Sequence, residues 1–224
     1  MARSIGQIHA HDNRCYVDYD GRIATPDHTA EPADRRGELA AAAFEIIAER
    51  GLPGLSLRAL ARRVGATTGL VTHYYLDRAE LVDAALRHAR TLMAERFVAL
   101  PPDAPVSEVL AGILPIDDEV ATSWRVWLSV RAGALADPDL ADFHHHMYDE
   151  WGEELRRRVR PELADPGDGP ALDWAVDHLM AVIDGIALRA TLDRAAWPAH
   201  RQRSHVAAAV STLTESRLPP PEAP

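Results

Sequence analysis

Three groups of residues in this chain have the types and spacing to do chemistry. The first lies in residues 55 to 81, LSLRALARRVGATTGLVTHYYLDRAEL. On a short helix, Thr68, Leu70, Thr72 and His73 share an outer face and offer hydroxyl, imidazole and methyl contacts of the kind that read base edges. The amides near Thr67, at the start of that helix, attract anions such as phosphate. The second group is aromatic. All five Trp stand at or beyond position 124, and Trp124, Trp127, Phe143, Tyr148, Trp151 and Trp174, with Arg131, Met147 and His178, can line a cavity for a small-molecule effector. Such rings attract an organic cation by about 0.5 to 2 kcal/mol each, with Asp177 or Asp184 as the neighbouring acid. The same rings suit a neutral effector or plain core packing. The third group is His144-His145-His146. Consecutive helical residues point about 100° apart, so only His145 with Asp142 and Asp149 shares a face, a poor metal site whose simpler reading is a polar helix surface. An all-α metal-dependent enzyme built on it is the alternative function. No nucleophile elbow, phosphate loop, dinucleotide fingerprint or zinc-protease motif is present, so no catalytic residue, metal or cofactor is assigned.

The elements that must position these residues are helices. Leu57, Leu60, Ala61 and Val64 form one apolar stripe, with Arg58, Arg62 and Arg63 off it. Ser56 is placed to cap this helix, Gly65 to end it in the left-handed conformation, and Thr67 to cap the next. Val71, Tyr74 and Tyr75 can then face inward. Asp77 and Glu80 form a capping box that opens a longer helix at Arg78 and runs to about residue 99. Upstream, a helix after Asp34 carries Leu39, Ala43, Ile46 and Ile47 on one face and stops at Gly51, with residues 52 to 54 as a turn. Residues 1 to 33 show no sustained period and read as an irregular or disordered arm.

Downstream, Pro101, Pro102 and Pro105 end the long helix. A helix over residues 107 to 114 follows, then one opened by Asp117-Asp118-Glu119, and another opened by Asp137-Pro138 and running to about residue 160. After a Pro/Gly/Asp-rich loop come two helices, about 171 to 192 and 200 to 217. The run from Pro219 to the end cannot be helical.

The first segment resembles the DNA-binding part of the tetracycline-repressor (TetR) family. Gly65, Thr67, Gly69, the pair Tyr74-Tyr75 and Arg78 stand at the family's turn, cap, glycine, aromatic and basic positions. Thr72 departs from a Tyr common there, and Thr72-His73-Tyr74 instead resembles the choline-responsive, betaine-pathway (BetI-like) branch. The match spans roughly residues 34 to 80. Looser similarity to that branch's effector domain lies in residues 124 to 128, 136 to 140 and 183 to 189. The resemblance implies phosphate contacts from Arg58, Tyr74 and Arg78, a homodimer built through the last two long helices, a double-stranded operator as partner, and a small effector of unknown identity.

Composition agrees with that reading. At 47 % hydrophobic residues the chain suits an all-α protein of about nine helices. The expected organisation is an arm over 1–33, a three-helix helix-turn-helix domain over 34–80, an effector-binding and dimerisation body over 81–217, and a Pro-rich tail over 218–224. Net charge is −10, yet residues 35 to 79 hold seven Arg against four acids, about +3, leaving −13 elsewhere. A small phosphate-facing head on an acidic body fits this distribution. All 24 basic residues are Arg, which composition of the genome explains before any binding role. A single Cys, no apolar run long enough to span a bilayer and no signal-peptide pattern lead to a cytoplasmic expectation without membrane partners. The function these features support is a ligand-responsive transcriptional repressor, with a DNA-binding regulator lacking an effector as a further alternative.

Overall fold

The computed structural model describes residues 31–101, 103–163 and 169–214, all helix, turn or irregular structure with no strand among them. The arm expected over residues 1–33 lies outside them except for its last three residues, and the tail expected over 218–224 lies wholly outside. Nine α-helices follow in order: α1 (Glu31–Gly54), α2 (Leu57–Arg63), α3 (Thr68–Tyr74), α4 (Arg78–Ala99), α5 (Val106–Gly112), α6 (Asp118–Ala134), α7 (Pro138–Val159), α8 (Pro170–Leu192) and α9 (Ala199–Thr214). The expected helices are all present among the described residues, with three shifts, and the end of the last one, expected at about 217, lies outside those residues. Helix α1 begins at Glu31 rather than after Asp34. It breaks at Gly51, whose φ of 70° is left-handed, but resumes helical hydrogen bonding through Gly54, so the turn expected at 52 to 54 is a short helical continuation. Helix α5 starts and ends earlier than expected.

Local capping carries the head. The Ser56 hydroxyl accepts from the Ala59 amide at 3.1 Å and the Thr67 hydroxyl from the Leu70 amide at 3.2 Å. Between them Gly65, at φ 65°, closes α2. Asp77 accepts from the Glu80 amide at 2.9 Å, while Glu80 reaches back to the Leu76 amide at 2.7 Å, one residue earlier than a reciprocal box requires.

Two cores are linked by α6. The first joins α1 to α4 and takes in Val126, Trp127 and Val130 of α6. The second packs α5, α7, α8 and α9 around Val120 and Trp124 of the same helix. Packing therefore does not divide at residue 80, because Leu81, Val82, Ala85, Leu86 and Ala89 of α4 are buried against α1. A helix buried on both faces cannot shift without disturbing both cores, so α6 mechanically connects head and body. At the far end, buried Gln202 donates to the carbonyls of Trp197 at 2.8 Å and Pro115 at 3.3 Å, tying α9 to the α5–α6 corner.

Candidate DNA-reading head and effector-binding body

Helix α3 shows which side chains of the head are available. Val71 is fully buried and Tyr75 nearly so, its hydroxyl donating to the Arg36 carbonyl at 2.8 Å. This anchors one face and turns the other outward, so Thr68, Gly69, Leu70, Thr72 and His73 are exposed together. Leu70 keeps 38 % of its surface in contact with solvent, which leaves its methyl groups available on this face. From Leu55 to Leu76 the chain contains no carboxylate, while Arg58 and Arg62 are exposed and form no ion pair among the described residues. Tyr74 is half-buried, with the His73 ring edge-on at 5.1 Å.

Other arginines of the head are engaged. Arg63 is held by Glu45 and Glu49 at 2.7 and 2.8 Å. Arg35 pairs with Glu38; Arg36 pairs with Glu80 at 2.6 Å and lies over the Tyr75 ring. Arg78 departs most from expectation. Its guanidinium turns back under the turn, donating from Nε to the Leu55 carbonyl at 3.0 Å and from Nη2 to the Leu52 carbonyl at 2.6 Å. A planar fork reaches the last-turn carbonyl of Leu52 and the Leu55 carbonyl just beyond α1 at once. Arg78, exposed at the surface and expected to grip phosphate, thus also braces the head through two backbone carbonyls.

Leu52 is where the head meets the body. Its amide donates to Ser129 Oγ of α6 at 2.7 Å, while its carbonyl accepts from Arg78. Its side chain seats against Gly133, where an added Cβ would lie 2.9 Å from Leu52 Cδ1 and 2.8 Å from Leu140 Cδ1. The same residue is therefore bonded to α6 and to α4, the helix that follows α3. Beside this joint lies a cleft of about 470 Å³, with Leu52, Pro53, Val82, Leu86, Ala132 and Phe143 on its apolar walls and Asp139 at its edge. Arg78 and Leu140 stand in segments the sequence singled out, but nothing in the sequence pairs them with Leu52, Ser129 and Gly133, because those contacts join residues far apart in the chain.

The structure divides the expected effector residues instead of gathering them. Trp127 and Phe143 stack at 6.4 Å and, with Met147, pack against the head-side core. Trp124, Trp151 and Trp174 belong with the second core. Trp174 stacks on His178 at 5.2 Å on a half-buried part of α8. Only Phe143 of the set lines the cleft. Arg131 lies over the Trp124 ring and bonds to Tyr148 and Asp184, at 2.7 and 2.9 Å, two residues considered from sequence as partners of a ligand and not of each other. Burial, reinforced by Asp184, pushes the Tyr148 hydroxyl far above its ordinary range, so it stays protonated.

The three histidines do not converge. His144 stacks on Tyr148 at 4.4 Å and His146 reaches Glu150 at 3.2 Å. Among the described residues no three His, Cys, Asp or Glu side chains are grouped to hold a metal, and no helix is long and apolar enough to cross a membrane.

Comparison with known proteins matches residues 39–85 to the family described as "Bacterial regulatory proteins, tetR family" and residues 102–215 to "BetI-type transcriptional repressor, C-terminal". The HTH-type transcriptional regulator BetI of Burkholderia thailandensis is 30 % identical over 168 residues, covering 70 % of this chain and 82 % of that protein. The HTH-type transcriptional regulator PksA of Bacillus subtilis is 26 % identical over 170 residues, covering 71 % and 80 %. Among solved structures, a transcriptional regulator from Rhodococcus sp. Rha1 superposes with a TM-score of 0.71 at 24 % identity, covering 84 % of this chain and 97 % of that one. A regulator from Saccharomonospora viridis in complex with choline superposes at 0.68 with 19 % identity, covering 80 % and 96 %. At these identities the two structures speak to the fold alone.

Proposed function

The chain belongs to the TetR family of transcriptional regulators, with a BetI-type repressor body, and from that premise we propose that it is a ligand-responsive repressor binding a near-palindromic operator as a homodimer. Its family and relatives are regulators, which sets aside the metal-dependent enzyme considered from the histidine run. The observation that carries the reading is the outer face of α3, where Thr68, Leu70, Thr72 and His73 stand exposed over buried Val71 in a segment free of carboxylates. Set in a major groove, this face presents hydroxyls, an imidazole and a methyl-bearing side chain to base edges. The amides around Thr67 and exposed Arg58 face the backbone.

Two such heads need a dimer to space them. On α8 the stripe Ala181, Gly185, Leu188 and Leu192 is exposed, with Leu192 at 76 %, and α9 exposes Ser204, Ala207 and Ala208. Small side chains let helices approach closely and the leucines supply apolar area, as a four-helix bundle with the partner's copies requires. The location is cytoplasmic, where the operator is.

The effector acts on the α6–α7 side of the body. Moving α6 moves Ser129, and with it Leu52, Arg78 and the reading head. A differential affinity of about 1 to 3 kcal/mol between the two states changes operator binding 5- to 150-fold. A gel-shift titration on the chain's own upstream DNA tests the reading: specific binding is expected from the wild type, with a loss of at least tenfold in a Thr72→Ala/His73→Ala variant of unchanged melting temperature. Equal affinity of the two proteins would refute the assigned face.

A further inference from the structure

Arg131 occupies surroundings that elsewhere in chemistry receive a free organic cation. Its guanidinium carbon lies 5.0 Å from the centroid of Trp124 and 5.3 Å from that of Tyr148. Nη2 donates to the Tyr148 hydroxyl at 2.7 Å and to Asp184 Oδ1 at 2.9 Å, and that hydroxyl donates to the other Asp184 oxygen. The Trp124 indole is fixed in turn by its N–H on the Ile113 carbonyl at 2.6 Å. Two aromatic faces and one carboxylate, each held in place, are the parts of a site for an ammonium or guanidinium group.

Here the cation is supplied by the chain. We propose that Arg131 is a resident cation that fills this box of Trp124, Tyr148 and Asp184, and that it is the residue excluding quaternary ammonium ligands from it. The inference rests on reading the body as an effector domain. Both oxygens of Asp184 are engaged, so an incoming ammonium meets no free carboxylate, and it meets the positive charge of Arg131 as well. His144 registers the same repulsion: stacked on Tyr148, its imidazole is held below its ordinary pKa by burial first and by Arg131 next. With the guanidinium removed, the rings and the acid would remain and the box would open to a small cation. A BetI-type body therefore need not carry a choline-type response, and one side chain decides it.

The experiment titrates tetramethylammonium and choline into the full-length wild type, Arg131→Ala and Arg131→Ala/Asp184→Asn, following tryptophan fluorescence, with circular dichroism as the fold control. The wild type is expected to show no saturable binding in the millimolar range. Arg131→Ala is expected to bind tetramethylammonium at least about tenfold more tightly, as two ring faces and a released carboxylate allow, and the double variant to lose that gain. Saturable binding by the wild type as tight as by Arg131→Ala overturns the proposal, and so does a folded Arg131→Ala that binds neither cation. Should Arg131→Ala fail to fold, the wild-type titration still decides: choline binding that Asp184→Asn abolishes overturns it, and its absence upholds it. A gel shift on the ligand-free wild type separates the two readings, since failure to bind operator counts against the repressor and leaves the box untouched.

Discussion

Arg78→Ala separates a phosphate contact from a structural strut. The guanidinium makes two hydrogen bonds, at 3.0 and 2.6 Å, to carbonyls of residues 55 and 52. Hydrogen bonds to a charged group contribute about 1.5 to 3 kcal/mol when buried. These are partly exposed, and the Leu52 carbonyl keeps the Leu55 amide as a second partner at 3.1 Å, so about 1 to 2 kcal/mol for the pair is a fair figure. For a chain of this size that lowers the melting temperature by about 2 to 8 °C. The two roles separate in the salt dependence of operator binding. Each lost phosphate contact reduces the slope of log K against log salt by about 0.9, hence about 1.8 for a dimer losing one per subunit. A strut is expected to leave that slope unchanged while stability falls. Arg78→Lys sharpens the comparison, because an ammonium keeps the charge but cannot span two carbonyls with a planar fork; it is expected to melt like the alanine variant. A slope reduced by nearly two units in Arg78→Ala, with full stability and rescue by lysine, would refute the reasoning.

Leu188→Glu places a charge on the exposed stripe of α8, where Leu188 retains 43 % exposure, and is expected to yield folded monomers in sedimentation with operator affinity reduced at least tenfold. Ser129→Ala removes the oxygen that accepts from the Leu52 amide, at about 1 kcal/mol, and is expected to retain operator binding while losing most of the effector response in a reporter assay. His88 is held below its ordinary value of 6.5 by burial, only partly opposed by Glu95 and Glu45. The unfolded chain therefore takes up its proton first, so the contribution to stability is complete above about pH 6.5 and is lost as pH falls through the lower folded value. His88→Gln is expected to flatten denaturation midpoints measured between pH 7 and 5 without abolishing the trend, because His144 is shifted the same way.

The all-α fold, the order of the helices and the helix-turn-helix were legible in the residues because those signals are local. Ser56 bonds an amide three residues on, Thr67 does the same, and Gly65 needs only its own backbone freedom. The burial of Val71 and Tyr75 and the exposure of Thr72 and His73 follow from helical period once those caps are set. Charge was legible by region but not by residue: the seven Arg of residues 35 to 79 mark a basic head, yet Arg63 and Arg78 make bonds within it.

Pairings between distant residues arise only once the helices have packed. Arg78 finds the carbonyl of a residue 23 positions earlier, Arg131 an aspartate 53 positions later, and Leu52 a serine 77 positions away. No period or spacing encodes such partners. They follow from how α1, α4, α6 and α8 cross, and crossing is set by the packing of both cores around α6. For the same reason aromatic residues from one stretch of sequence fall into two clusters, Trp127 and Phe143 with the head-side core and Trp124, Trp151 and Trp174 with the other. That the Arg131 guanidinium is bonded to Tyr148 and Asp184 is visible only once α6, α7 and α8 are packed.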